Sequence, residues 1–506
     1  MNKSDRIRKN LLICFYAVFS FVMLFISVIS LRFPLYYLVW WKMIIATAVF
    51  GAVFFGIMML WNKIPEKLSD SKTIFIIALV IEVILIWTVS LIHGKDHFGV
   101  GDYFIVYYSA EEMASGADLT YYNYFMVYGN NTLPMLMLSA LLRFARLIHV
   151  DTFYFMLTIT TSLIVLSFLS AYELLKGYYK KIVIPMLVFL MICLPVYVFA
   201  GTFYTDSMTF GAGLISLALL KISIEKKAKY LIPIASLFAV WGICFKITSF
   251  IPILGAAIVL FVFGISKEKT EKDKKNKIIC ILVYSLIIIL LLGIVRIIAS
   301  QNPVYTASKE KSNPLTAWIA MGMTKNGSYS ENVEFSDSIN NLSTQKEKSD
   351  LALKYIKENL PEALSISHIV KKTQNNFASG MFSCFDYTCP DENGSMLYKL
   401  LDPGGTLYGR SCQYTFCYVL IIYIAVTYGS IRSLILLIKR RDKASHEILS
   451  FPKVFADISM FGIIVFLMLW ESNNRQLYNQ LPLLIMMLFV NTYELVNSVK
   501  KNNEKK

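Results

Sequence analysis

Apolar runs long enough to span a bilayer recur along this chain, and no other feature of the sequence restricts the fold so severely. They lie near residues 11–31, 43–61, 73–93, 152–172, 182–200, 207–224, 230–246, 248–265, 278–299, 413–436, 454–470 and 481–498, which makes twelve candidate spans. A hydrocarbon core about 30 Å thick needs about 20 apolar residues of helix, and only helices or closed barrels satisfy their backbone groups inside it. The runs are continuous rather than alternating, which predicts an all-α, polytopic membrane protein. Composition agrees: of 506 residues, 56% are hydrophobic and 16% charged, too apolar for an ordinary aqueous surface.

Basic residues then set the orientation, because they resist translocation next to a span. Alternate gaps hold Lys63, Lys67 and Lys72; Lys176, Lys180 and Lys181; Lys226, Lys227 and Lys229; the run from Lys267 to Lys277; and Lys439, Arg440, Arg441 and Lys443. With these gaps inside, both termini are predicted to be cytoplasmic in a multi-pass cell-membrane protein. The formal charge of +15 is read as topogenic. Lys and Arg form no continuous basic face, so no nucleic-acid partner is expected. The first run follows Lys3, Arg6, Arg8 and Lys9 but lacks a small-residue cleavage site, so it reads as a retained helix.

Leu133 to Ile148 is apolar but carries Pro134, Arg143 and Arg146. If it crossed, every later basic loop would change sides, so it is expected to lie along the interface, the alternative being a true span with a missed partner. The organisation is therefore a transmembrane region, 1–299, with an external loop 94–151 that includes the interfacial helix 133–148. A small mixed external domain, 300–411, and C-terminal transmembrane helices, 412–506, follow. Within the external domain a capped helix is expected from Ser349 through Leu360, ending before Pro361. Of eight cysteines only Cys384, Cys389 and Cys412 fall in polar sequence, which allows at most one disulfide, Cys384–Cys389 being the candidate.

Charged groups near a membrane are costly, so those that orientation does not explain are functional candidates. On this threading they share the outer rim: His93, Asp96, His97, Asp102, Glu111, Glu112 and Asp118 in the first loop, Asp206 after the fifth span, Lys246 between two spans, and Glu471, Arg475 and Tyr478 in the last external turn. Plainer readings stand beside these. Asp102 and Asp206 could be helix caps, Lys246 and Arg475 helix-end anchors, and Glu82 a protonated carboxyl bonded to a neighbouring helix. His93, Asp96 and His97 have spacing that a metal site allows if the helix continues. Gly404 to Ser411 has phosphate-loop spacing, but no strand-to-helix context is expected there, and no hydrolase elbow or metalloprotease pair occurs.

These residues resemble the GT-C superfamily of membrane glycosyltransferases, particularly bacterial members related to protein mannosyltransferases. Gly101-Asp102-Tyr103, Ala110-Glu111-Glu112, Tyr124-Phe125 and Tyr128-Gly129-Asn130-Asn131 look like the family's first external loop; Tyr204-Thr205-Asp206, Lys246-Ile247-Thr248 and the Glu471, Arg475, Tyr478 element look like its later ones. The loop lacks the usual Asp-Glu pair, Gly129 replaces a proline, and two helices precede the family's first span. The resemblance implies inverting transfer of a sugar from a polyprenyl-phosphate donor to a cell-envelope acceptor at the outer face, in a single displacement. Asp102 is expected as base, Asp206 as a second catalytic carboxylate orienting sugar or acceptor, and Lys246 and Arg475 as the seat of the leaving phosphate. Glu471, Tyr478, Glu111 and Asn131 are expected to bind substrate. Some members need a divalent cation, and the sequence does not choose. The rival readings are a transporter or flippase of lipid-linked glycans and a glycan polymerase or ligase.

Overall fold

Among the described residues of the computed structural model, eight helices are long and apolar enough to cross a bilayer, and one bent pair makes a ninth crossing if counted as a single span. The structure describes residues 3–36, 38–69, 71–93, 101–179, 181–264, 271–384, 396–440 and 443–503. In chain order the helices that matter below are α1 (Lys3–Arg32), α2 (Trp40–Lys63), α3 (Lys72–His93), α4 (Asp102–Ser115), α5 (Tyr122–Val127), α6 (Thr132–Leu147) and α7 (Thr152–Leu175). Next come α8 (Val183–Met191), α9 (Leu194–Ala200), α10 (Ala212–Glu225), α11 (Leu231–Phe245), α12 (Ile251–Phe261) and α13 (Glu271–Ser300). The remainder are α14 (Pro303–Lys311), α15 (Leu315–Met321), α16 (Val333–Asn340), α17 (Gln345–Ala363), α18 (Ile366–Phe377), α19 (Tyr408–Lys439), α20 (Phe451–Leu469) and α21 (Leu481–Asn503).

The twelve apolar runs therefore resolve into three kinds of element. Eight of them are the long helices α1, α2, α3, α7, α13, α19, α20 and α21. The run at 182–200 is broken: α8 and α9 meet at 70°. Pro195 explains the break, since it has no N–H to donate and its ring clashes with the carbonyl four residues back. The other three runs become α10, α11 and α12, of 14, 15 and 11 residues. At 1.5 Å per residue these reach about 16–23 Å, less than the hydrocarbon thickness. The run at 207–224 shortens because residues 201–211 form an irregular turn that ends at Gly211, where φ is +63°.

Successive long helices run back and forth between two ends. At one end the Leu35 N–H donates to the Ala378 carbonyl at 3.0 Å and the Ser472 N–H to the Gly327 carbonyl at 2.7 Å. The region between α13 and α19 thus packs onto the connections that follow α1 and α20. At the opposite end Lys9 Nζ donates to the Lys443 carbonyl at 2.9 Å and Lys181 Nζ to that of Ile64 at 2.7 Å. Near that end ionisable side chains are paired, as their desolvation requires: Lys453 with Asp457, Arg432 with Glu494, and the hydroxyls of Tyr16 and Tyr179 on Asp457 and Glu494 at 2.8 and 2.9 Å.

The principal core is built from α1, α3, α7, α8, α9, α19, α20 and α21, and a second joins α10, α11 and α13 through Leu220, Ile232, Ala235, Ala239 and Tyr284. A third, around Trp318, Met321, Phe335 and Ile339, belongs to residues 300–384. That region was expected to be of mixed structure; its described residues contain helices α14 to α18 and no strand. Its capped helix is longer than the expected Ser349–Leu360. α17 starts after Thr344, whose side chain and that of Glu347 form a reciprocal capping box, and it carries Pro361 inside its last turn, where few hydrogen bonds remain to be lost. α6 has 16 residues and buries one face, Met135, Leu138 and Leu142, while Arg143 and Leu147 are exposed on the other. The Gly404 to Ser411 stretch does open a helix, α19, but follows a helix rather than a strand. Cys389, Asp96 and His97 lie outside the described residues.

Candidate functional site

Three irregular turns and the α4–α5 loop meet at the end that carries residues 300–384, and polar side chains connect them. α4 begins at Asp102, after Gly101 at φ +72°. Asp102 therefore is not the cap; it occupies the first turn, where the helix dipole favours a carboxylate. Its Oδ1 accepts a hydrogen bond from Tyr124 Oη at 2.7 Å. Tyr124 Oη in turn accepts from Asn131 Nδ2 at 2.6 Å, and Asn131 Oδ1 accepts from Tyr204 Oη at 3.3 Å. The Arg475 guanidinium lies 5.2 Å from the centre of the Tyr204 ring, close enough for a cation–π contact. Arg475 Nε stands 3.3 Å from Asp206 Oδ2, and Lys246 Nζ is bonded to Asp206 Oδ1. One path thus links Asp102, Asn131, Arg475, Asp206 and Lys246, five of the eight residues expected to form the site.

The backbone that presents them is fastened independently. Asn479 Nδ2 lies 3.3 Å from each of the hydroxyls of Thr209, Thr248 and Ser249. Gln480 Nε2 donates to the Thr248 carbonyl at 3.2 Å, and the Gly211 N–H to the Asn479 carbonyl at 3.1 Å. The turns carrying Asp206, Lys246 and Arg475 are thereby tied to one another. Lys246 adopts extended backbone at the end of α11, which turns its side chain out of the helix and across to Asp206.

The two aspartates have different surroundings. Asp206 is fully buried with both oxygens engaged by cations, and Ala212 rather than Ser207 starts the following helix, so Asp206 is not a cap. Asp102 is half-buried and, among the described residues, makes no ion pair. Two cations facing one buried carboxylate leave a net single positive charge beside Tyr204. A half-buried carboxylate held, among the described residues, by a phenol on one oxygen keeps the other with which to take up a proton.

Glu471 adds a second carboxyl to this rim. Burial pushes it up to about 7, with Asp102 acting in the same direction and Arg475, the Tyr329 backbone and Lys372 opposing. Its neighbour Lys372, on α18, was not apparent from the sequence. The Lys372 side chain is fully buried, donates to the Gly322 carbonyl at 2.6 Å, and is pulled down by burial to about 7. Gly322 makes this approach because a Cβ there would stand 2.6 Å from the Trp470 carbonyl and 2.8 Å from Lys372 Nζ. Residues 322–327 therefore clamp the segment that carries Glu471, and Tyr329 Oη completes the edge, receiving a 3.2 Å hydrogen bond from Tyr128 Oη.

Other expected residues lie elsewhere. Glu111 is raised by burial and faces Tyr107 and Arg146, away from the Asp102 path. Glu112 holds Thr120, its Oε2 accepting from the Thr120 N–H at 3.0 Å, and so closes the loop after α4. Tyr478 is fully buried among Phe199, Phe210 and Phe382, with ring centres 4.2, 5.1 and 6.3 Å away. Its hydroxyl has no hydrogen-bond partner among the described residues. Among those residues no three His, Cys, Asp or Glu side chains converge as metal ligands.

No curated protein matches the chain. The model of a family described as conserved hypothetical integral membrane protein matches residues 5–496. With nearly the whole chain covered and eight membrane-length helices present, the protein is a member of that family of integral membrane proteins.

Proposed function

We propose that this membrane protein is a glycosyltransferase that moves a sugar from a polyprenyl-phosphate donor to a cell-envelope acceptor, with the Asp102 end facing the outside. The observation that carries the reading is the division of labour within one connected path: a rim carboxylate that makes no ion pair among the described residues, and two cations held together by a buried one. In the reaction the acceptor hydroxyl attacks the anomeric carbon while its proton passes to Asp102. The bond from that carbon to the phosphate oxygen breaks, and the charge growing on the phosphate is met by the net positive charge of Arg475 and Lys246 around Asp206. Arg offers the planar fork that suits phosphate oxygens. Asp206 on this account positions the two cations and does not itself touch the sugar.

Tyr124 and Asn131 hold Asp102 in place, and Glu471, protonated below about pH 7, can donate a hydrogen bond to the donor's polar atoms. The test replaces Asp102 with Asn, confirms normal insertion and measures transfer from purified lipid-linked sugar. Turnover as in the wild type would remove Asp102 from the mechanism.

One feature favours the rival of a lipid-linked glycan carrier: the broken span α8–α9, of a kind that transporters place at their binding sites. Against it, the exposed carbonyls of this break are already occupied by side-chain hydroxyls, and the connected charges lie at one rim. A polymerase or ligase would use the same rim with an oligosaccharide donor, and supplying mono- and oligosaccharide lipids in parallel separates the two.

A further inference from the structure

We propose that the break between α8 and α9 is a proton-binding site, with Glu82 of α3 as the group that carries the proton. The inference does not rest on the function proposed above.

Glu82 is fully buried halfway along α3, and among the described residues it has no ion pair. Its Oε2 lies 3.0 Å from Tyr197 Oη. The same phenol oxygen lies 2.7 Å from the Met191 carbonyl, the last residue of α8. A hydroxyl has one proton to give, and a carbonyl can only accept. The Tyr197 proton therefore goes to Met191, and the contact with Glu82 needs a second proton. It resides on the carboxyl, so that Glu82 Oε2 donates to Tyr197 Oη. The other oxygen, Oε1, is buried with no hydrogen-bond partner among the described residues, a condition far less costly for a neutral acid than for an anion.

Apart from the Tyr197 hydroxyl, no group that faces Glu82 among the described residues would stabilise a charge. Tyr418 donates to the Phe189 carbonyl at 3.0 Å and Tyr414 to that of Ile192 at 2.5 Å. The end of α8 directed at Glu82 is thus the negative end of a helix dipole, which opposes ionisation of an acid. Among the described residues the titratable groups facing the site are Tyr197 from α9, Cys193 from the break, Tyr414 and Tyr418 from α19, and Tyr478 beyond them; none is a cation. α8 carries no titratable side chain. Tyr154 and Tyr172 of α7 instead stack on Trp87 and Phe75, a turn or more away along α3.

Removing the proton would set an anion against α8 carbonyls and free α3 from the break. α9 runs directly into the turn that bears Tyr204 and Asp206, and its Phe199 packs on Tyr478. The proton on Glu82 therefore holds the inner support of the Asp206 turn.

Infrared difference spectroscopy of the full-length protein in lipid nanodiscs, wild type against Glu82→Gln, tests this. At neutral pH the wild type is expected to show the C=O stretch of a protonated carboxylic acid that Glu82→Gln lacks. As rising pH removes that band, amide hydrogen exchange over residues 193–206 should quicken in the wild type and not in Glu82→Gln at the same pH. Tyr197→Phe, which keeps the acid but removes its acceptor, should shift the band rather than abolish it, so the assignment stays testable if Glu82→Gln fails to fold. A missing band at neutral pH overturns the proposal, as does a band whose loss leaves exchange unchanged. A band lost on adding sodium chloride at constant pH would make the ligand a metal cation and overturn it equally.

Discussion

Replacing Glu471 with Gln should stabilise the protein in alkaline buffer and leave it unchanged in acid. The carboxyl is displaced from 4.5 to about 7, chiefly by burial. Between these values the folded chain keeps a proton that the unfolded chain has lost, so stability falls as pH rises through the window. Below it both states are protonated and the burial costs little. Above it the displacement corresponds to about 3 kcal/mol at 1.36 kcal/mol per pKa unit. Gln stays neutral throughout, and its amide oxygen can still accept from the Tyr329 backbone. The variant's advantage should thus be near zero at about pH 4 and grow to about 3 kcal/mol above about pH 8. Reversible unfolding in mixed detergent micelles at a series of pH values measures it. A difference that is flat with pH, or a wild type that gains relative stability over this range, would refute the reasoning.

Other variants probe other parts of the site. Lys372→Met should act in the neighbouring window with opposite slope: the ammonium is displaced down to about 7, so the folded chain binds fewer protons between there and 10.5. Its cost is complete below about pH 7, and Met should stabilise there by about 2–4 kcal/mol after loss of the bond to Gly322, the gain fading as pH rises. Asp206→Asn should cost about 3–5 kcal/mol, because it leaves Lys246 and Arg475 facing each other with side chains 9% exposed; additional Lys246→Met should recover part of this in the same unfolding assay. Tyr124→Phe removes the donor to Asp102 and should lower turnover about tenfold with little change in stability, a loss near 1.4 kcal/mol.

The sequence announced the membrane helices because continuous apolar runs have few other uses, yet it could not say which runs were short or broken. Residues 207–211 read as span because Ser, Met, Thr, Phe and Gly continue the apolar pattern, and only tertiary contact with Asn479 shows them as turn. The broken span was foreshadowed by Pro195. The capping box at Thr344 and Glu347 was also legible as Thr-x-x-Glu, whereas a capped helix beginning at Ser349 starts four residues after the observed first residue, Gln345. At the site, Asp102, Asp206, Lys246 and Arg475 stood out because charge near a membrane needs a reason. Lys372 did not, since it sits in a polar segment where a lysine is ordinary, and its proximity to Glu471 arises from residues about a hundred apart. Tyr478 was placed among substrate contacts by the spacing of one motif; its ring instead completes the aromatic packing under Asp206.

The fate of a labelled sugar bears most directly on the account. Purified protein in proteoliposomes would receive a lipid-linked donor with the label on the sugar, together with envelope acceptor on the Asp102 side. Covalent attachment to acceptor in the wild type, abolished in Asp102→Asn, is the expected result. Label that only changes leaflet, still joined to its lipid, would contradict it.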